Sequence, residues 1–218
     1  MGRYRPRQCF NTNDYEFIIE VDLQLESFRE YIKLTEDLIE VELKQKLIKY
    51  DTFLEEEDKE IVKEFYDFAD HEVKRQAHQL FFDSLFISLY SFLERKMFQL
   101  CKIAEAGHQI KVKDLGDKGI KQYRTYITKV LNIDLETVHS QWTGFQKYNT
   151  LRNHLVHEPT YTVDIKNKTK INKLKSIQGL VIKERGDVIE FEISDKKLLM
   201  DFCKDIGIFL KHIHCEQL

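Results

Sequence analysis

The chain contains little that breaks helices or builds a covalent framework. Its 218 residues include only two prolines and eight glycines, so long helices can run without interruption. The four cysteines, Cys9, Cys101, Cys203 and Cys215, form no CxxC or other metal-ligand spacing, which favours reduced thiols in the cytoplasm over a disulfide framework. The net charge of −3 excludes a strong basic field, so any binding of nucleic acid must come from a local cationic surface.

No apolar run in the sequence has the length of a membrane span. The most apolar stretch, residues 80–93, is short for a bilayer, contains Asp83 and is followed by the charged residues Glu94, Arg95 and Lys96. The basic N-terminus precedes no apolar segment, so a secretory signal is not expected. We therefore predict a cytoplasmic protein without a membrane anchor, in which this stretch is a buried core helix.

Apolar residues recur at helical spacing through most of the chain, with charged residues between them. The periodicity predicts a mainly α-helical bundle with long antiparallel helices, in one domain that covers residues 1–218. Core helices are expected over about 13–158, with Pro159 ending the last of them because its ring cannot continue a helix. The acidic run at 55–58 should begin the second helix, where carboxylates are favoured. The predicted core helices cover about 14–50, 55–106, 120–131 and 134–157.

The C-terminal third of the chain has a different pattern. Residues 161–165, and then the string LVIKERGDVIEFEIS, alternate apolar and polar side chains. The second string does so around Gly186 and Asp187, which is typical of a β-hairpin, here over about 179–194. Helical spacing returns over about 195–214. A small hairpin and a last helix should therefore pack onto the bundle.

The string YNTLRNHLVHEP, residues 148–159, places an arginine and two histidines at the end of a predicted helix. Arg152 carries a permanent charge on a planar fork that suits phosphate, and His157 is of the type that titrates near neutral pH. Asn149 and Arg152 fall on the apolar stripe of this helix, where an arginine needs a partner. Together, Arg152 and His157 could therefore handle a phosphodiester.

Helix geometry predicts how these side chains are arranged. Asn153 and His157 lie one turn apart, so the amide can hydrogen-bond the imidazole and orient it. Arg152 should lie roughly 140° around the helix axis from His157. A ligand touched by both would have to straddle the stripe that contains Val156. A second subunit packed over that stripe would form such a cleft.

At this string the chain resembles the HEPN superfamily, whose signature is an arginine, often followed by asparagine, with a histidine several residues later. Here these positions are Arg152, Asn153 and His157, with HLV between the last two. The segment SLYSFLERK, residues 88–96, is similar to the central core helix of these bundles. Glu94 matches the polar position that faces the active site in that helix.

The resemblance implies a helical bundle that forms a homodimer with the two motif helices adjacent. It also implies an endoribonuclease that cleaves RNA without metal through the ribose 2'-hydroxyl and leaves a cyclic phosphate. His157 would act as general base or acid, and Arg152 would stabilise charge on the phosphate. Asn153 and Asn149 would support the site, and Glu94 would hold Arg152 in place. Because many members serve in toxin–antitoxin or phage-defence systems, an antitoxin or defence partner is implied.

Several residues also have structural interpretations. Arg152 and His157 could instead cap carbonyls at a helix C-terminus, and Glu94 could lie in a solvated turn. The basic segment DIKNKTKINKLK is either a solvated loop or short helix, or a surface that contacts the RNA backbone. The residues predicted to make that contact are Lys168, Lys170 and Lys173. His212, His214 and Cys215 lack a fourth ligand at a recognisable spacing, so we expect them to face solvent and expect no metal or cofactor.

Two further functions are compatible with the same sequence. A HEPN-like bundle without catalysis would serve as an RNA-binding or protein-interaction module in a defence or toxin–antitoxin complex. Alternatively, the long amphipathic helix at about 14–50 would dock onto a partner protein and make the chain an interaction scaffold.

Overall fold

A computed structural model of the protein describes residues 12–51, 59–158 and 160–217. The acidic run 55–58 and Pro159, used above to place helix boundaries, lie outside these ranges. The α-helices are α1 (Thr12–Asp51), α2 (Lys59–Ala104), α3 (Ile120–Thr125), α4 (His139–His157), α5 (Lys168–Lys175) and α6 (Lys196–Gln217). The strands are β1 (Thr162–Asp164), β2 (Leu180–Arg185) and β3 (Val188–Ile193). This architecture confirms a mainly helical fold with a C-terminal β-hairpin.

Short irregular turns modify three of the predicted helix ends. A 3-10 turn at Glu105–Gly107 follows α2, and a π-helical turn at Tyr126–Val130 continues α3. Another 3-10 turn, Glu136–Val138, precedes α4, so the regular helix begins later than the predicted residue 134. Leu135 and Val138 are buried in this turn, which explains why their spacing resembled that of a helix.

The two long helices α1 and α2 run antiparallel, as predicted. Glu20 near the start of α1 forms an ion pair of 2.7 Å with Lys96 near the end of α2. Further along α1, the ring of Tyr31 packs against that of Phe81, with centroids 5.8 Å apart. Later residues of α1 therefore contact earlier residues of α2, as they do in an antiparallel pair.

The apolar stretch at 80–93 forms the centre of the bundle, although Leu80 at its start is exposed. Phe86 is fully buried and packs against Phe202 of α6, with ring centroids 5.4 Å apart. Phe145 of α4 packs against the same ring at 5.9 Å. Helix α6 thus joins α2 and α4 through aromatic contacts and fixes the position of α4.

The three strands form one antiparallel sheet in the order β1-β3-β2. Gly186 and Asp187 form the predicted two-residue turn between β2 and β3, with Gly186 at φ 59°. Strand β1 lies in the alternating segment 161–165 and adds a third strand, in which Thr162 is opposite Glu190. None of the described helices is both long and apolar enough to cross a membrane.

A buried carboxylic acid lies between α2 and the segment that leads into β1. Asp83 is 7% exposed, and within the described ranges its Oδ2 has no hydrogen-bond partner. Burial raises the pKa of Asp83 to about 6, and a hydrogen bond with the Tyr161 side chain lowers it only in part. At neutral pH the protein therefore holds a poorly solvated charge in its interior.

We expect Asp83→Asn to remove this pH-dependent penalty. A raised folded pKa favours the folded state at low pH, and the benefit is lost as pH rises through about 6. Between pH 4 and pH 8 the wild type should therefore lose about 2 kcal/mol more free energy of unfolding than Asp83→Asn. Urea unfolding at several pH values measures the difference. A difference that is constant with pH would contradict this account of Asp83.

Candidate active site

An open polar cleft lies between α2, α4 and the segment 116–121 that leads into α3. Its volume is about 640 Å³, within the range of ligand-binding pockets. All five side chains predicted for the site, catalytic and supporting, line this cleft. They are Glu94, Asn149, Arg152, Asn153 and His157.

Arg152 and His157 approach each other directly at the end of α4. Nη1 of Arg152 lies 3.4 Å from Nε2 of His157. The prediction that the two side chains point apart, across the stripe of Val156, was wrong. That prediction treated each side chain as a radial vector, whereas the long arginine stem lets the guanidinium reach back around the helix. A single phosphate group can therefore contact both residues.

Asn153 contacts the arginine instead of the histidine. Nη1 of Arg152 donates a hydrogen bond of 3.1 Å to Oδ1 of Asn153. The predicted hydrogen bond between Asn153 and His157 does not form in the described part of the chain. The amide therefore positions the guanidinium and orients the imidazole only indirectly.

Glu94 faces the cleft but does not hold Arg152, so that predicted role was wrong. No ion pair joins the two among the residues that the structure describes. The Glu94 carboxylate lies against Gly119, where a Cβ atom would come within 2.8 Å of Oε1. Gly119 also has φ +58°, a conformation that side chains rarely adopt. This close approach places the Glu94 carboxylate against the segment 116–121, which forms the wall of the cleft that faces α4.

Tyr90 also lines the cleft, although it was not predicted as a site residue. Its side chain is 2% exposed, and its hydroxyl donates a hydrogen bond of 2.9 Å to Oδ1 of Asn149. The guanidinium carbon of Arg152 lies 6.0 Å from the centre of the Tyr90 ring, at the limit of a cation–π contact. Burial raises the pKa of Tyr90, the nearby Glu94 charge raises it further, and Arg152 lowers it. Its position four residues before Glu94, on the same face of α2, was the available signal.

The opposite wall of the cleft is held by hydrogen bonds within its own segment. The Thr125 hydroxyl donates to Oδ2 of Asp117 at 2.8 Å. Nε2 of Gln122 donates to the carbonyl oxygens of Val112 at 3.0 Å and Leu115 at 3.2 Å. These hydrogen bonds hold the loop before and after Gly119, so this wall of the cleft has a defined conformation.

His154, the other histidine of the motif, is structural. It is 2% exposed, and its Nε2 lies 2.8 Å from the carbonyl oxygen of Thr160. Its ring packs edge-on against Phe191 of β3, with centroids 4.7 Å apart. Burial lowers the pKa of His154, which favours the neutral ring. This side chain therefore fastens the end of α4 to the sheet and does not enter the cleft.

The basic segment forms the short helix α5, which borders α4 but does not line the cleft. Nζ of Lys170 lies 3.5 Å from Oε1 of Glu158, the residue after His157. Asn167 caps the helix by accepting a hydrogen bond of 3.2 Å from the Lys170 backbone. Lys168 and Lys173 are exposed. Contact of these three lysines with RNA stays a prediction.

The C-terminal histidines take part in packing. Nε2 of His212 lies 2.7 Å from the carbonyl oxygen of Asp134. His214 is buried and stacks on Phe17 with ring centroids 4.8 Å apart, so the expectation that it faces solvent was wrong. Cys215 is exposed. No group of three side chains suited to a metal ion occurs in the described ranges.

The fold and the cleft define a mainly helical protein in which an arginine and a histidine meet at the end of a helix. No protein-family model, curated protein or solved structure matches the chain. Membership of the HEPN superfamily therefore stays a prediction from the motif.

Proposed function

We propose that the protein is a metal-independent endoribonuclease of the HEPN type, with Arg152 and His157 as its catalytic residues. The observation that carries this proposal is the 3.4 Å approach of the guanidinium to the imidazole within an open polar cleft. A permanent cation can stabilise charge on the phosphate, and an imidazole can transfer a proton, and both effects favour phosphodiester cleavage by a 2'-hydroxyl.

In the proposed reaction the 2'-oxygen attacks the adjacent phosphorus and the bond to the 5'-oxygen breaks. One histidine takes the proton from the 2'-hydroxyl, and an acid returns a proton to the leaving 5'-oxygen. The products are a 2',3'-cyclic phosphate and a free 5'-hydroxyl. Arg152 stabilises the negative charge that develops on the non-bridging oxygens.

The surroundings of Arg152 support this role. Asn153 accepts a hydrogen bond from the guanidinium, and the Tyr90 ring lies beneath it. These contacts limit the rotamers of a long side chain before substrate arrives, and such preorganisation makes electrostatic catalysis effective. Nε of Arg152 is buried and has no hydrogen-bond partner among the described residues, so a phosphate would meet this side chain at its Nη atoms.

We further propose that the active protein is a homodimer with a composite site. Among the described residues that line the cleft, His157 is the only histidine, whereas the reaction uses a base and an acid. Val156 on α4 is 42% exposed beside the motif, which suits a contact between two copies of this helix. A strictly monomeric mass in solution would contradict the composite site.

Cleavage of a defined RNA in excess chelator tests the proposal. We expect the unmodified RNA to be cut and the same sequence with 2'-O-methyl riboses to resist, because the methyl group blocks the attacking oxygen. The methylated strand is the matched control for binding. Cleavage of both strands, or a strict requirement for added metal, would contradict the mechanism.

The alternative is a non-catalytic HEPN-like module that binds RNA or a partner protein in a defence or toxin–antitoxin complex. One feature of α1 favours it, because large apolar side chains along this helix are exposed. They include Ile19, Leu23, Leu34 and Leu38, which are each more than half exposed. If this alternative holds, the protein cleaves no RNA but still binds RNA or its partner protein.

A further inference from the structure

Two lysines face the catalytic residues from the opposite wall of the cleft. Lys118 and Lys121 lie on the segment that runs through Gly119 into α3, and both line the cleft together with Arg152 and His157. Both are exposed, and neither forms an ion pair with any described residue. Their charges are therefore available to a ligand in the cleft.

The local charge of the cleft differs from that of the whole chain. Arg152, Lys118 and Lys121 contribute three positive charges, and the acids that line the same cleft are Glu94 and Asp117. Asp117 already accepts a hydrogen bond from Thr125. The lining of the cleft therefore has a formal charge of +1, against −3 for the whole chain, and this local excess of positive charge favours a phosphate backbone.

The position of the lysines depends on a rigid turn. Gly119 between them has φ +58°, and the hydrogen bonds of Gln122 and Thr125 hold the segment on either side. Because the backbone of this segment is already held in place, only the two lysine side chains must be ordered when a ligand binds. Less conformational entropy is then lost on binding. Among the described residues of the cleft, no exposed aromatic side chain offers a surface on which a base could stack.

We propose that Lys118 and Lys121 bind the phosphate next to the scissile one, so that the RNA backbone lies between α4 and the 116–121 segment. This subsite rests on the proposed function, because RNA is the ligand that brings a second phosphate into the cleft. Contacts to phosphate set affinity and register without reading sequence. The two lysines would therefore not select a particular RNA sequence.

The test measures RNA binding in a background that does not depend on cleavage. The parent is His157→Ala, and the probe is a fluorescent single-stranded RNA of mixed sequence, followed by anisotropy at several salt concentrations. Lys118→Gln and Lys121→Gln are added together. Lys129→Gln with Lys204→Gln is the matched control, because both lysines are exposed, lie outside the cleft and remove the same charge.

We expect the cleft pair to weaken binding about ten-fold and to reduce the slope of log affinity against log salt by about 0.7, because the two lysines together neutralise one phosphate of a single strand. The control pair should change affinity by less than about two-fold. Equal effects of the two pairs, or no RNA binding by the parent, would overturn the subsite. If the wild type cleaves no RNA while the parent still binds RNA through these lysines, the ribonuclease proposal is overturned, and Lys118 and Lys121 remain as a contact to the RNA backbone.

Discussion

His157→Ala is expected to reduce RNA cleavage by about a thousand-fold or more, because proton transfer by a positioned side chain contributes roughly 10² to 10⁴ in rate. His157 is exposed at the end of α4, and its described hydrogen-bond partner is Arg152. Its removal should therefore leave the fold intact. Initial rates on a defined RNA, with circular dichroism of both proteins, measure the effect.

The matched control is His154→Ala, three residues earlier on the same helix. His154 is buried against Phe191 and bonds Thr160, so its loss should lower the free energy of unfolding by about 2 kcal/mol or more. Activity per folded molecule should be nearly unchanged. If His157→Ala cleaved RNA at the rate of the wild type, the assignment of His157 would be wrong.

The second large effect is expected for Arg152→Lys. Lysine keeps the positive charge but lacks the planar fork that contacts Asn153 while facing His157. Because the phosphate would lose oriented donors in the transition state, the rate should fall by about 10² to 10³. The loss should appear mainly in kcat, since a cation remains to attract RNA.

Arg95→Lys is the control for this substitution. Arg95 follows Glu94 on α2, is exposed and does not line the cleft, so the same exchange there should leave the rate unchanged. A wild-type rate for Arg152→Lys would mean that the site needs only a positive charge at this position. The geometric role proposed for the guanidinium would then be wrong.

Much of the fold was predictable because hydrophobic periodicity and turn residues are local signals. The long helices α1 and α2, and the hairpin around Gly186, followed directly from the sequence. Strand β1 was harder to assign, since only three residues pair and the partner strand lies far along the chain. The burial of His214 likewise depends on Phe17 of another helix.

The members of the site were easier to predict than their contacts. The residues predicted from the motif on α4 and the charged turn on α2 lie together in one cleft, but spacing along one helix could not place a flexible arginine. Glu94 lies against Gly119, which comes from a segment without any motif. Lys118 and Lys121 were missed for the same reason, because only tertiary structure brings that segment to α4.

The most direct test of the central claim is the chemical nature of the cleaved ends. Purified protein is incubated with transfer RNA in excess chelator, and the 3' ends of the fragments are examined by mass spectrometry alongside Arg152→Ala and His157→Ala. Metal-independent cleavage by Arg152 and His157 predicts 2',3'-cyclic phosphate ends for the wild type and no cleavage by either variant. Fragments with 3'-hydroxyl ends, or the same cleavage by all three proteins, would contradict it.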